Sequence, residues 1–89
     1  MNMEKYDIVE RTVDITSPTK LMPENHFGGW FAINTGATQA YINGYPVQPG
    51  EGLDMRFNCP VPCEWKSPIT IDPNGGVVRI TRTQANKSK

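Results

Sequence analysis

Apolar and polar residues alternate along much of this chain with a period of two. The clearest run covers residues 53–58, LDMRFN, in which every second residue is apolar. Alternation of this kind is typical of a β-strand with one buried face and one exposed face. No window has the periodicity of about 3.6 residues that marks an amphipathic helix. The pattern therefore predicts a fold built from β-strands alone.

Turn signals divide the alternating runs at short intervals. Asn43-Gly44 is the pair best able to hold positive φ at both centres of a two-residue hairpin turn. Pro49-Gly50 and the segment PNGG at residues 73–76 mark two further turns. Pro46 lacks an N–H group, so the second arm of the hairpin is expected to be short or to lie at a sheet edge. The predicted strands are residues 6–15, 30–34, 38–42, 45–47, 53–58, 69–72 and 77–83.

About seven short strands, spaced roughly ten residues apart, predict an all-β fold, either a compact antiparallel β-sandwich or a small barrel. A chain of 89 residues makes a single domain. We expect a short N-terminal arm and a polar C-terminal tail that frays at residues 84–89. The expected core residues are apolar and comprise Ile33, Ile42, Leu53, Met55, Phe57, Ile69, Ile71, Val78 and Ile80.

Two segments lack any periodicity and are predicted to be irregular. Residues 16–27 contain two Xaa-Pro steps, and a loop of this length is often functional. Residues 58–68 form a connection that is interrupted by prolines and contains Trp65. Contacts with partners or ligands are expected mainly in these segments and at the tyrosines of the hairpin. The candidate residues are Leu21, Met22, His26, Phe27, Trp65, Tyr41 and Tyr45.

The charge balance and the absence of long apolar runs narrow the range of partners. Nine basic and nine acidic residues cancel, so no basic surface for nucleic acid or an anionic membrane is indicated. No apolar run approaches the roughly 20 residues of a membrane helix. The first residues, MNMEKY, lack the apolar core of a signal peptide, so we expect a chain that is used without secretion. Because so short a chain buries only about 60–65% of its unfolded surface, we expect oligomerisation or docking onto a larger assembly.

The two cysteines lie close together, in the segment CPVPC at residues 59–63. Its prolines favour an extended backbone of about 3.1 Å per residue, which separates the Cα atoms of Cys59 and Cys63 by about 12 Å. A disulfide needs less than about 7 Å, so an internal bridge would require a sharp bend. Zinc normally takes four ligands, and the chain offers two thiols and the single His26. We therefore expect free thiols, no metal and no cofactor.

No arrangement of residues in the sequence indicates catalysis. His26 lies in a predicted loop, and there is no nucleophile elbow, no Gly-rich phosphate loop and no metal-ligand spacing. The aspartates are scattered at predicted strand edges and turns. The protein is therefore expected not to be an enzyme.

Four aromatic residues suggest a binding surface instead. Trp30, Trp65, Tyr41 and Tyr45 could form a flat surface on which sugar rings stack, as in carbohydrate-binding modules. In the alternative interpretation Trp30 lies in the core, Trp65 covers an open end of the sandwich, and the tyrosines pair across the hairpin. An exposed aromatic surface would also suit a protein interface, where Tyr and Trp are enriched.

Several segments resemble small β-sandwich proteins of tailed bacteriophage particles. The similar segments are FAINTG at residues 31–36, AYING at 40–44, VQPGE at 47–51 and the closing hairpin of ITI at 69–71 and VVRITR at 77–82. Residues 1–27 and 59–68 are not part of the pattern.

The resemblance implies a non-catalytic virion component, either a capsid decoration or auxiliary protein or a small tail, collar or fibre-associated subunit. Such a subunit would form homo-oligomers or bind other virion proteins, and would be assembled in the host cytoplasm. A carbohydrate- or receptor-binding module that uses surface aromatics, with a glycan as its ligand, is the alternative function.

Overall fold

The computed structural model describes residues 6–22, 27–55 and 66–87. All of the regular secondary structure in these ranges is β-strand. The strands in these three ranges are β1 (Tyr6–Ile15), β2 (Thr19–Leu21), β3 (Phe27–Asn34), β4 (Ala40–Ile42), β5 (Tyr45–Val47), β6 (Gly52–Asp54), β7 (Ile69–Asp72) and β8 (Val78–Lys87). They form two four-stranded sheets: sheet A has the order β1-β8-β3-β6 and sheet B has the order β2-β7-β4-β5. All pairs of neighbours are antiparallel. The predicted all-β, antiparallel fold is confirmed, with eight described strands in place of about seven.

Sheet A is built around the long ladder between β1 and β8. Ten residues of β1 pair with ten of β8, from Tyr6 opposite Lys87 to Ile15 opposite Val78. The prediction of β1 is confirmed, whereas β8 was expected to end at residue 83 and to be followed by a frayed tail. The strand continues to Lys87 because β1 supplies hydrogen-bond partners for polar residues that have no apolar periodicity of their own.

The core lies between the two sheets. Its buried hydrophobic residues in the described part of the chain are Ile15, Trp30, Ala32, Ala40, Ile42, Val47, Ile69, Ile71, Val78 and Ile80. Five of the nine expected core residues are among them: Ile42, Ile69, Ile71, Val78 and Ile80. Leu53 and Met55 are partly buried against this cluster, and Phe57 lies outside the described residues.

The prediction that Ile33 belongs to the core is wrong. Trp30, Ala32 and Asn34 are fully buried, so the alternate positions of β3 face the core and Ile33 points away from it. Ile33 is 40% exposed as a result. The apolar run at residues 30–33 hid this alternation, because an exposed isoleucine and a buried alanine do not reveal which face is covered.

The hairpin around Asn43-Gly44 has the predicted geometry. Asn43 has φ 50° and Gly44 has φ 83°, which are the two positive values that a type I′ turn requires. Ile42 lies opposite Tyr45 on either side of the turn. β5, which contains Pro46, is short and lies at the edge of sheet B, as expected.

A buried amide organises the loops that lead into this hairpin and out of it. The Asn34 side chain is fully buried, and its Nδ2 donates to the backbone oxygens of Thr38 at 2.7 Å and Val47 at 2.8 Å. Its Oδ1 accepts a hydrogen bond from the Gly36 N–H at 3.0 Å. The backbone of Asn34 also bonds to the turn at residues 50–51. One side chain at the end of β3 therefore fixes β5 and the segment before β4.

Two predicted segments differ from the structure. Residues 16–27 were expected to form a loop, but Thr19–Leu21 pairs with β7 as β2, and β3 begins at Phe27. Three residues are too few to show a period of two, so this strand depends on its partner in sheet B. The strand expected at residues 53–58 is limited to Gly52–Asp54 in the described residues, and positions 56–58 lie outside them.

Candidate functional site

The first candidate surface is the free edge of sheet A, formed by β1. Within the described residues β1 hydrogen-bonds to β8 on one side only, so its other edge is open. Three apolar side chains of this strand are strongly exposed: Ile8 at 67%, Val9 at 39% and Val13 at 40%. Among the described strands, this edge of β1 has no neighbour and carries apolar side chains, a combination that favours pairing with a further strand.

The exposure of β1 arises because sheet B covers only one of its ends. Val9, Val13 and Ile15 share a parity and so face the same side of sheet A. Ile15 is buried in the core cluster, whereas the other two are exposed. Ile8 lies on the opposite face. Both faces of the β1 edge thus present apolar groups beyond the point where the core ends.

An exposed ion pair holds β1 to β8 near the core. Arg79 Nε donates to Asp14 Oδ1 at 2.9 Å, and the two residues are directly opposite in the ladder. This hydrogen bond, together with the positive charge of Arg79, holds the pKa of Asp14 below its ordinary value and raises the pKa of Arg79. A lowered carboxyl pKa stabilises the fold above the unfolded pKa, and that contribution is lost as pH falls through the folded value. Because both side chains are in water, the effect is small and is weakened by salt.

The second candidate surface is a groove of about 370 Å³ on the outer face of sheet B. Three adjacent strands form its floor: Lys20 of β2 lies opposite Thr70 of β7, and Asp72 of β7 lies opposite Tyr41 of β4. The described residues that line it are Pro18, Thr19, Lys20, Tyr41, Gly44, Thr70, Ile71 and Asp72. Tyr41 was a candidate binding residue from the sequence, whereas Lys20, Thr70 and Asp72 were not, because they come together only through the strand pairing of sheet B.

The aromatic surface expected from the sequence is not formed as a unit. Trp30 is fully buried, which confirms its interpretation as a core residue and removes it from any binding surface. Tyr41 and Tyr45 are both exposed, but Tyr41 lies opposite Pro46 and Tyr45 lies opposite Ile42. The expected pairing of the tyrosines across the hairpin is therefore wrong, because a two-residue turn sets a register that offsets them. Of the aromatic candidates that the structure describes, Tyr41 alone lines the groove.

The other candidate residues are dispersed. Leu21 is partly buried against the core, whereas Met22, the next residue, is exposed. Phe27 is the first residue of β3 and lies opposite Gln84. His26 and Trp65 lie outside the described residues, as do Cys59 and Cys63, so their expected roles stay predictions.

Neither a metal-binding cluster nor a membrane-spanning helix is present among the residues that the structure describes. No group of three or more His, Cys, Asp or Glu residues among them is placed to hold a metal ion. The same residues contain no helix long and apolar enough to cross a membrane.

Comparisons with known proteins do not indicate a function for this chain. No family model matches this chain, and neither a curated protein nor a solved structure matches it.

Proposed function

We propose that this protein is a non-catalytic structural subunit of a bacteriophage virion that acts through protein–protein contacts, first of all with copies of itself. The observation that carries the proposal is the ten-residue edge strand β1, open on one side within the described residues and lined by exposed Ile8, Val9 and Val13. The assignment to a virion is supported, in addition, by the resemblance of the turn segments to head-auxiliary and tail-associated proteins of bacteriophages. The subunit would reside in the virion after assembly in the host cytoplasm.

An edge strand of this length is unusual in a monomer. Strands average about five to six residues, and monomeric proteins protect their edges with short strands, charged side chains, prolines, bulges or covering loops. β1 has ten residues, contains no proline and pairs with β8 without a shift in register. Its charged residues favour solubility, but the exposed valines and isoleucine are costly to leave in water. Pairing with another strand would satisfy both the backbone groups and these side chains.

A second copy of the chain suits this edge. Two β1 strands related by a two-fold axis perpendicular to the sheet run antiparallel, and each residue meets one that faces the same side. With Val9 on the axis, the two copies of Val9 meet, and Ile8 of one copy lies opposite Glu10 of the other. The two sheets A then join into one continuous sheet of eight strands. The unshifted register of β1 is therefore compatible with pairing to itself.

Oligomerisation would also stabilise a small domain. The core between the sheets has ten buried hydrophobic residues in the described part of the chain, and two of them are alanines. Association that buries further apolar surface favours the folded state by mass action. A virion component present at high local concentration gains most from this effect.

The assembly proposal is tested by replacing Val9, which lies on the proposed two-fold axis, with a charged residue. We expect sedimentation velocity to find the wild-type chain as a dimer or larger symmetric oligomer. Val9→Lys should weaken the association at least about tenfold, or about 1.4 kcal/mol, because two lysines would face each other across the axis.

The control for this variant is Ile33→Lys. Ile33 has nearly the same exposure as Val9, 40% against 39%, but lies on the central strand β3 away from the edge. It should leave the oligomer intact. A wild-type chain that is monomeric at all concentrations, or equal effects of the two variants, would contradict the proposed use of β1.

The virion assignment needs a separate measurement. Phage particles purified from the source of this sequence should contain peptides of the chain at many copies per particle by quantitative mass spectrometry. A chain that is expressed during infection but absent from washed particles would contradict the virion assignment and leave the oligomer result standing.

A further inference from the structure

The groove on the outer face of sheet B has features of a binding site that the assembly role does not use. It lies on a different sheet from β1, so it is independent of the proposed oligomer. Its volume of about 370 Å³ is within the range of small-molecule sites, roughly 300–1,000 Å³. Three strands contribute to its floor, which places the groups on regular backbone rather than on loops.

A chain of hydrogen bonds holds Tyr41 in position on the floor of the groove. Gln39 Nε2 donates to the Tyr41 hydroxyl at 3.0 Å, and Gln48 Nε2 donates to Gln39 Oε1. The backbone N–H of Gln48 donates in turn to Glu51 Oε1 at 3.1 Å. An exposed tyrosine on a short strand would otherwise be free to change rotamer. The ring is therefore preorganised as a flat apolar surface with a fixed polar end.

The polar groups on the floor are also oriented. Asp72 Oδ1 accepts a hydrogen bond from the Asn74 N–H at 2.9 Å, which sets the direction of the carboxylate. Its Oδ2 makes no hydrogen bond to the residues that the structure describes. The Thr70 hydroxyl lies 3.3 Å from Asn43 Oδ1 and donates to it, which keeps its lone pairs available as acceptors. Lys20, directly opposite Thr70, supplies the donor.

This combination of groups selects a chemical class of ligand. One lysine and one aspartate make the lining electrically neutral, which favours neither an anion nor a cation. A planar ring beside one donor and two acceptors matches a molecule with an apolar face and several hydroxyls around its rim. We propose that the groove binds one sugar ring of a glycan. The ring stacks on Tyr41, and its hydroxyls bond to Lys20 and Asp72.

The sugar site differs from the aromatic surface expected from the sequence. It uses one aromatic residue rather than four, and its specificity comes from β2 and β7. The affinity for a single ring is expected to be in the millimolar range, because so few groups contact it. Many copies in an oligomer would raise the avidity for a surface that displays many glycans.

The test is an NMR titration of the 15N-labelled chain with glucose, galactose, mannose, N-acetylglucosamine and N-acetylneuraminic acid, each to about 50 mM, well above the expected millimolar Kd. At least one neutral sugar should shift the amides of Lys20, Tyr41, Thr70 and Asp72 in a saturable manner. Tyr41→Ala should weaken this binding about tenfold or more, as expected for loss of a stacking ring. Tyr45→Ala, which removes an exposed tyrosine outside the groove, should leave the Kd within about twofold of wild type.

A second variant keeps the test decisive if Tyr41→Ala disturbs the fold. Asp72→Asn retains Oδ1 for the Asn74 N–H and removes only the second carboxylate oxygen, so it should weaken binding while the amide spectrum outside the groove stays unchanged. No saturable shift with any of the five sugars would overturn the proposal. So would shifts that map away from the groove, or binding that is unaffected by both groove variants.

Discussion

Replacing Trp30 with alanine is expected to destabilise the protein by about 3–5 kcal/mol. Trp30 is fully buried and is the largest side chain in the core, so its removal leaves a cavity between the two sheets. Globular domains unfold with only about 5–15 kcal/mol, and a domain of this size lies near the lower end. Equilibrium urea denaturation followed by circular dichroism measures the change. The variant should be partly unfolded in the absence of urea.

Tyr45→Ala is the matched control for Trp30→Ala, since Tyr45 is an aromatic residue that is 63% exposed. It should change the free energy of unfolding by less than about 0.5 kcal/mol. If Trp30→Ala is too unstable to study, Trp30→Phe leaves a smaller cavity and should show a smaller loss. Equal stability of Trp30→Ala and Tyr45→Ala would place Trp30 on the surface and contradict the fold described above.

Replacing Asn34 with alanine is expected to cost about 2–4 kcal/mol. The change removes the Nδ2 donor from the carbonyl oxygens of Thr38 and Val47, and the bond to Val47 is buried. A buried carbonyl without its donor carries a desolvation cost that a mere loss of contact area does not. The loss should appear both in urea denaturation and as faster amide exchange in β4 and β5.

Two further variants separate the amide's role from a general effect of mutation. Asn34→Asp keeps the size and the acceptor but turns a carboxylate oxygen towards two carbonyl oxygens, so it should be at least as destabilising as alanine. Thr35→Ala, at the next position, removes an exposed hydroxyl whose bond to Val77 O is 3.4 Å long, and should cost little. If Asn34→Asp were as stable as wild type, the hydrogen bonds of Nδ2 would not be important for the fold.

The parts of the fold that local chemistry determines were predictable. Asn43-Gly44 sets a two-residue turn whatever surrounds it, and the observed positive φ angles confirm it. The turn at residues 73–76 is likewise local, and Asn74 and Gly75 have the positive φ angles that it requires. It leads from β7 of sheet B into β8 of sheet A, so the hairpin expected between residues 69–71 and 77–82 is not formed. The turns themselves depend on neighbours in sequence. Their prediction therefore requires no knowledge of the tertiary structure.

The parts that depend on partners distant in sequence were not predictable. β2 has three residues and becomes a strand only because β7 lies beside it. β8 extends to Lys87 because it pairs with β1 along its whole length. Ile33 points outward because the opposite face of β3 meets sheet B. The groove follows the same rule, because Lys20 and Asp72 are far apart in sequence and meet through the order of strands in sheet B.

Asn34 is an intermediate case. The segment NTG at residues 34–36 predicted a turn after β3. Hydrophobic patterning, however, places a polar residue such as Asn34 on the surface. Its burial follows from three hydrogen bonds to segments on both sides of the hairpin. A polar residue at a core-facing position of a strand, two residues before a glycine, is the signal that would have indicated it.

The proposed roles use different sheets of the molecule. The β1 edge of sheet A would join copies of the chain, and the outer face of sheet B would remain exposed in that arrangement. An assembly built in this way would display the groove many times. Loss of sugar binding would therefore leave the assembly unaffected, and loss of assembly would leave the intrinsic affinity of each groove unaffected.

Amide hydrogen exchange of β1 as a function of protein concentration tests the central claim most directly. Alternate N–H groups of an edge strand point away from its single neighbour and are open to water unless a second strand covers them. We predict that these alternate amides of residues 6–13 are protected at high concentration and become unprotected on dilution, while the amides bonded to β8 change little. Exchange in β1 that is independent of concentration would contradict the account, even if the protein proved to be an oligomer by another surface.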